Sequence, residues 1–169
     1  LQSETPDLDE VREIMADIVA DNRRAADVVS RLRTLLKKSD LDMTAQDLNG
    51  IVEGVVKLVH SDAVIKRIVI ELDLDPLVPP VVADRVQLQQ VLLNLIMNAM
   101  DAMRDAAGKH RKLIIRATRR DAGCAQVSIR DFGTGIEADS LTRVFEPFYT
   151  TKPEGMGMGL SICRTILEA

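Results

Sequence analysis

Apolar positions recur with a helical period from near the start of the chain. Leu8, Val11, Met15, Ile18, Asn22, Ala25, Val29, Leu32 and Leu36 alternate steps of three and four without a miss, and Asp9, Glu10, Arg12, Arg23, Arg24, Arg31 and Lys37 lie off that seam. Such a pattern predicts a left-handed coiled coil or helical bundle. Asn22 is a polar seam position, which fixes register and partner number at a cost in stability. The alternative is an amphipathic helix lying on its own domain; four heptads with neither Gly nor Pro favour a bundle between chains.

Ser39-Asp40 ends this pattern and a compact α/β domain follows, dividing the chain at 1–40 and 41–169. Leu48, Ile51, Val52, Val55, Leu58 and Val59 predict an amphipathic helix opening near Thr44. Residues 68–74 read as a strand, ended by Pro76, Pro79 and Pro80. A strongly apolar helix is predicted from Asp84 to Met103. Strands follow at 113–119 and 126–131 with Asp121-Ala122-Gly123 as their turn, and a last helix starts near Leu160. The sequence ends at Glu168-Ala169, still within helical periodicity.

Composition narrows the chemistry. The 169 residues are 46% hydrophobic and 28% charged, as in an ordinary globular chain. A net charge of −4 and only 2% aromatic residues argue against a nucleic-acid partner, since neither counterion release nor base stacking is provided for. No apolar run approaches the roughly 20 residues needed to span a bilayer, and the polar start LQSETPDLDE has no signal-peptide features, so direct membrane insertion is not expected. Cys124 and Cys163 have no metal or redox spacing and read as two free thiols in a reducing, cytoplasmic compartment. His60 and His110 lack the neighbours of a metal site and read as surface histidines.

Four clusters carry candidate chemistry. Asn94 and Asn98 lie one turn apart on a face of an otherwise apolar helix. Their amides are either hydrogen-bonded core groups or oxygen ligands for a hard cation such as Mg²⁺. Asp131-Phe132-Gly133-Thr134-Gly135-Ile136 follows a strand; its glycines admit a flat ligand and its carboxylate can accept from an exocyclic amine. Residues 144–152, with Phe145, Phe148, Thr151 and Lys152, begin a segment that has the composition of a lid. Gly155-Met156-Gly157-Met158-Gly159-Leu160 opens directly into a helix, whose unobstructed first amides make an anion cradle. A protein-kinase reading of Asp131-Phe132-Gly133 fails, because residue 112 is Lys where the catalytic Asp is required after His110-Arg111, and no Walker A loop occurs.

In this order the clusters resemble the catalytic ATP-binding domain of bacterial sensor histidine kinases. Residues 94–99 look like the N box, 131–135 the G1 box, 145–148 the F box and 155–160 the G2 box, with wording close to the nitrogen-regulatory and oxygen-sensing branch. The resemblance covers about Thr44 to Ala169, and residues 1–40 look like the second helix of a dimerisation and phosphotransfer hairpin. It implies an α+β class fold: a two-layer α/β sandwich of Bergerat type, a mixed sheet with helices on one face. The implied cofactors are ATP and Mg²⁺. Asn98 would hold the metal with Asn94 beside it, as the catalytic pair, and Asp131 would accept from the adenine amine. Gly133 and Gly135 would shape the base pocket. Gly155, Gly157 and Gly159 would let the lid fold over the phosphates with Lys152 as a phosphate contact, and Ile136, Phe145, Thr151 and Leu160 would complete the nucleotide site. Asp101 belongs to the same site, where many relatives carry a basic phosphate contact.

The resemblance also implies a homodimer through the leading helix and a response-regulator receiver domain as partner. Its phospho-accepting histidine, on the first hairpin helix, is matched by neither His60 nor His110, and its closing pair of strands has no counterpart here. Related ATPases and serine-directed kinases generally place Glu at position 94, whereas an amide cannot act as a general base. Two alternatives remain: an ATPase or serine kinase of the same superfamily, or a non-catalytic dimerisation module with a vestigial pocket.

Overall fold

A computed structural model describes residues 42–104, 111–121, 123–152 and 155–168, together with Val11, Ile14, Met15 and Ile18. The chain divides into two compact units, Leu1–Leu41 and Asp42–Ala169. In the first, the four described residues are helical and exposed. The rest of the expected seam, Asn22 included, lies outside the described residues, as does His110.

The second unit runs β1 (Thr44–Gln46), α1 (Leu48–Ile65), β2 (Val69–Leu74), β3 (Val81–Ala83), α2 (Arg85–Ala102), β4 (Lys112–Asp121), β5 (Cys124–Arg130), α3 (Ala138–Leu141) and α4 (Gly159–Glu168). Strands β2, β4 and β5 form a mixed sheet with β4 central: β2 runs parallel to it and β5 antiparallel. Leu113, Ile115 and Ala117 of β4 are buried while Arg116 between them is exposed, the period of a half-buried strand. That buried face meets Ile51, Val52, Val55 and Val59 of α1 and Leu92, Ile96, Ala99 and Met100 of α2 in one core. Two helices on one face of a mixed sheet is the expected sandwich. His60 is exposed on α1.

Helix α1 does not open near Thr44. Residues 44–46 pair instead with β3 as a two-stranded ribbon, Thr44 opposite Ala83 and Gln46 opposite Val81. Asp47 provides the start signal, its side chain accepting from Asn49 N at 3.1 Å. The helix ends in a Schellman turn: Ile68 N donates to Ala63 O at 2.8 Å and Arg67 N to Val64 O at 3.0 Å, with Arg67 left-handed at φ 55°. Burial of Ile68 beside Ala63 in the core offsets the strain of a non-glycine residue there.

The ribbon aims α2. Asp84 Oδ1 caps it by accepting from Val86 N (2.9 Å) and Gln87 N (3.0 Å), while Oδ2 accepts from Asp42 N (3.3 Å) at the start of the ribbon. One carboxylate thus fixes both the first turn of α2 and the chain entering β1. At the opposite end Arg111 donates to Lys66 O (3.0 Å) and Arg104 O (2.9 Å), binding the ends of α1 and α2 together. No described helix is long and apolar enough to cross a membrane.

Candidate functional site

The C-terminal half of α2 is where the predicted clusters meet. Its apolar stripe of Leu92, Ile96, Ala99, Met100 and Met103 faces the core, which leaves Asn94, Asn98 and Asp101 on the flank. Asn98 is half-buried; its Nδ2 lies 3.8 Å from where a Cβ on Gly159 would stand, so it abuts the first turn of α4. Its Oδ1 faces the ammonium of Lys152 at 3.5 Å.

Asn94 points toward α4. Its Nδ2 is buried without a hydrogen-bond partner, although a buried unsatisfied amide costs about 1–3 kcal/mol. Its neighbour is the Cys163 thiol, which donates to Val91 O at 3.8 Å. Burial pushes the Cys163 thiol up, and the Asn94 amide, which could donate to a thiolate, opposes this without overcoming it. The sulfur therefore stays protonated at neutral pH, and a protonated thiol is a poor acceptor for Asn94. Alkylation of the folded chain should label exposed Cys124 quickly and buried Cys163 slower by roughly 100-fold or more, which peptide mass spectrometry of timed samples would read.

The loop after β5 docks on the end of the same helix. Asp131 Oδ1 accepts from Gly133 N at 2.9 Å, closing an Asx turn that leaves Oδ2 for a ligand. Thr134 N donates to Ala102 O at 3.2 Å, occupying a carbonyl that α2 leaves unpaired at its end. A Cβ on Gly133 would stand 2.5 Å from that oxygen, so the approach requires glycine. Ile136 is exposed.

The loop before α4 closes the other side. Phe148 is left-handed at φ 67° and exposed, and Tyr149 Oη donates to Ser140 Oγ at 2.7 Å under the Arg143 guanidinium. Gly157, at φ 65°, lies on the backbone of Phe148 and Tyr149, where a Cβ would fall 2.5 Å from Tyr149 O. Thr151 is exposed, while Gly155, Gly159 and Leu160 are half-buried. The structure thus brings Asn98, Asp101, Lys152 and Gly159 together at one end of α2, with Asp131 and Gly133 at its terminus. Phe145 lines a groove of about 550 Å³ between α2 and α4 with Leu95, Cys163, Arg164, Leu167 and Glu168.

Lys66 was not singled out by sequence, yet it completes the site. Asp101 pairs with Lys66 Nζ (2.9 Å), Lys152 Nζ (2.9 Å) and Arg104 Nη2 (3.7 Å). Burial pushes the Asp101 carboxyl up, but the two lysine ammoniums outweigh it and hold it below the usual range. Lys66 ends α1, and no local pattern in the sequence links it to residue 101.

The residues present fit a nucleotide with a divalent ion. Asn98 offers a hard amide oxygen, Asn94 an unpartnered buried donor, and α4 a glycine-opened N-terminus. No group of three or more His, Cys, Asp or Glu side chains able to hold a metal occurs among the described residues. An ion here would complete its shell from phosphate and water, the habit of Mg²⁺.

The profile of the family described as histidine kinase-, DNA gyrase B- and HSP90-like ATPase matches residues 83–169. The sensor histidine kinase TmoS of Ectopseudomonas mendocina is 32% identical over 98% of this chain and 17% of its own length. The chain spans between 17% and 35% of the length of the curated relatives it matches. Among solved structures, full-length ShkA in complex with AMPPNP aligns with TM-score 0.70 and 27% identity over 91% of this chain and 33% of its own. Histidine kinase ThkA in complex with the response regulator TrrA aligns with TM-score 0.75 and 26% identity over 98% of this chain and 46% of its own.

Proposed function

The chain belongs to the histidine kinase-, DNA gyrase B- and HSP90-like ATPase family, and from that premise we propose that it is the MgATP-binding catalytic part of a cytoplasmic sensor histidine kinase. The whole enzyme would transfer the γ-phosphoryl of ATP to a histidine and then to an aspartate of a response regulator. The histidine is a residue outside this chain, and residues 1–40 join two copies into a homodimer. ShkA with AMPPNP and ThkA with TrrA support the nucleotide and the regulator by kinship.

The observation that carries this reading is the convergence on α2. Asn98, the Asp131 loop, Lys152 and the N-terminus of α4 surround one helix end, with the Asn94 donor unpartnered. In this site Asp131 would select the base, Asn98 would hold a divalent metal, and Lys152 with the amides of α4 would meet the phosphate charge. The bound ion supplies neutralisation of phosphate charge. The protein supplies position and dipoles, the main requirements of phosphoryl transfer. With an amide at position 94 no side chain there can take a proton from water, which favours an imidazole acceptor over hydrolysis.

Calorimetric titration tests the assignment. Asn98→Ala should weaken MgATP by about 10-fold or more while changing metal-free ATP much less. Equal losses with and without the metal would remove Asn98 from the metal site. Steady phosphate release by the wild type, abolished by Asn94→Ala, would favour an ATPase instead.

A further inference from the structure

We propose that Asp101 is a positioning residue: it holds the ammonium of Lys152 beside Asn98, so that the cation facing the phosphates comes from the loop before α4 and is set by a carboxylate on α2. The proposal rests on the nucleotide reading above and adds to it the residue that governs where phosphate charge is met.

Asp101 is the acid of this cluster, and Lys66, Arg104 and Lys152 surround it, from the end of α1, from just beyond the end of α2 and from the loop. Lys66 at 2.9 Å already compensates the carboxylate, and it is the better shielded lysine, with 22% of its side chain exposed against 44% for Lys152. The charge of Lys152 is therefore surplus. It sits at the edge of the site, reaching Asp101 Oδ2 at 2.9 Å and Asn98 Oδ1 at 3.5 Å.

A surplus cation beside an amide oxygen and a helix N-terminus is an arrangement for a polyanion. The carboxylate cannot itself approach phosphate, because like charges repel. Its contribution is to order a long lysine side chain, which otherwise loses its rotamer freedom on binding. The loop helps from the backbone: Lys152 N donates to Thr150 Oγ1 at 3.1 Å and Lys152 O accepts from Gly155 N at 3.1 Å. Arg111, gripping the ends of both helices, keeps Lys66 and Asp101 in register.

The test compares MgADP with adenosine, which has the base and no phosphate, by calorimetry on the wild type, Asp101→Asn, Lys152→Gln and the double variant. Each single variant should weaken MgADP by about 5-fold and leave adenosine within about twofold, and the double variant should be no weaker than Lys152→Gln. Asp101→Glu should restore most of the affinity. Without nucleotide, Asp101→Asn should also speed amide exchange at residues 150–152.

An equal loss of adenosine and MgADP in Asp101→Asn would make its role structural and overturn the proposal. So would additive losses in the double variant, or a gain in MgADP affinity on removing the carboxylate. Should Asp101→Asn not fold, Lys152→Gln decides alone, since unchanged MgADP affinity there removes the cation from the phosphates. Neither ligand binding the wild type would instead overturn the nucleotide reading.

Discussion

Replacing Asp131 by Asn should lower affinity for ATP by about 10- to 100-fold while leaving the fold in place. The two halves of that expectation come from the two oxygens of one side chain. Oδ1 accepts from Gly133 N at 2.9 Å and builds the turn, a bond an asparagine oxygen can keep. In the proposed site Oδ2 is the acceptor left for the adenine amine, and an amide nitrogen in its place would set donor against donor. The substitution also makes a positive prediction, because the 6-oxo group of hypoxanthine accepts where the adenine amine donates. Asp131→Asn should therefore bind MgITP more tightly than MgATP, the reverse of the wild type. Competition calorimetry with both nucleotides measures it, and loss of both to the same extent would mean that Asp131 shapes the turn and does not read the base.

The second large effect is expected at Gly133. An added Cβ would stand 2.5, 2.7 and 2.8 Å from the O, C and Cβ of Ala102, two of them backbone atoms at the end of α2 that cannot turn aside. Gly133→Ala should cost about 1–3 kcal/mol, seen as a fall in Tm of roughly 3–10 °C. It should weaken nucleotide binding as well, since the shift separates Asp131 from Asn98. Gly135→Ala is the matched control. There the backbone is left-handed at φ 74° but nothing lies within 4 Å, so only the conformational cost of about 1 kcal/mol applies. Equal effects at the two glycines would show that the contact with Ala102 yields.

Much of this site was legible because its parts are local in sequence. The spacing of Asn94 and Asn98 fixes their helical relation wherever the helix lies, and the Gly155–Gly159 pattern fixes an open helix start. The strand boundaries around β4 and β5 follow from alternation and a glycine turn. What sequence could not supply was pairing across long separations. Residues 44–46 carry no strand signal of their own; they are a strand because β3 lies opposite, some forty residues on. Asp101, expected in the nucleotide site, is ion-paired to residues 35 positions before it and 51 after it, a link no local pattern carries. Phe145, expected in the nucleotide site, lines the groove between α2 and α4. The seam of the leading helix falls largely outside the described residues.

Parallel pairing of β2 with β4 has a consequence for how the molecule assembles. The β4–β5 hairpin needs only a turn, so it is free to form early. Strand β2 can join it only after the connection from residue 75 to 111 has closed, and that connection contains β3 and α2. The helix bearing Asn94, Asn98 and Asp101 is therefore the clasp of the sheet as well as the floor of the site. A substitution on α2 is read twice, once in the affinity of the finished protein and once in the rate at which the chain reaches it.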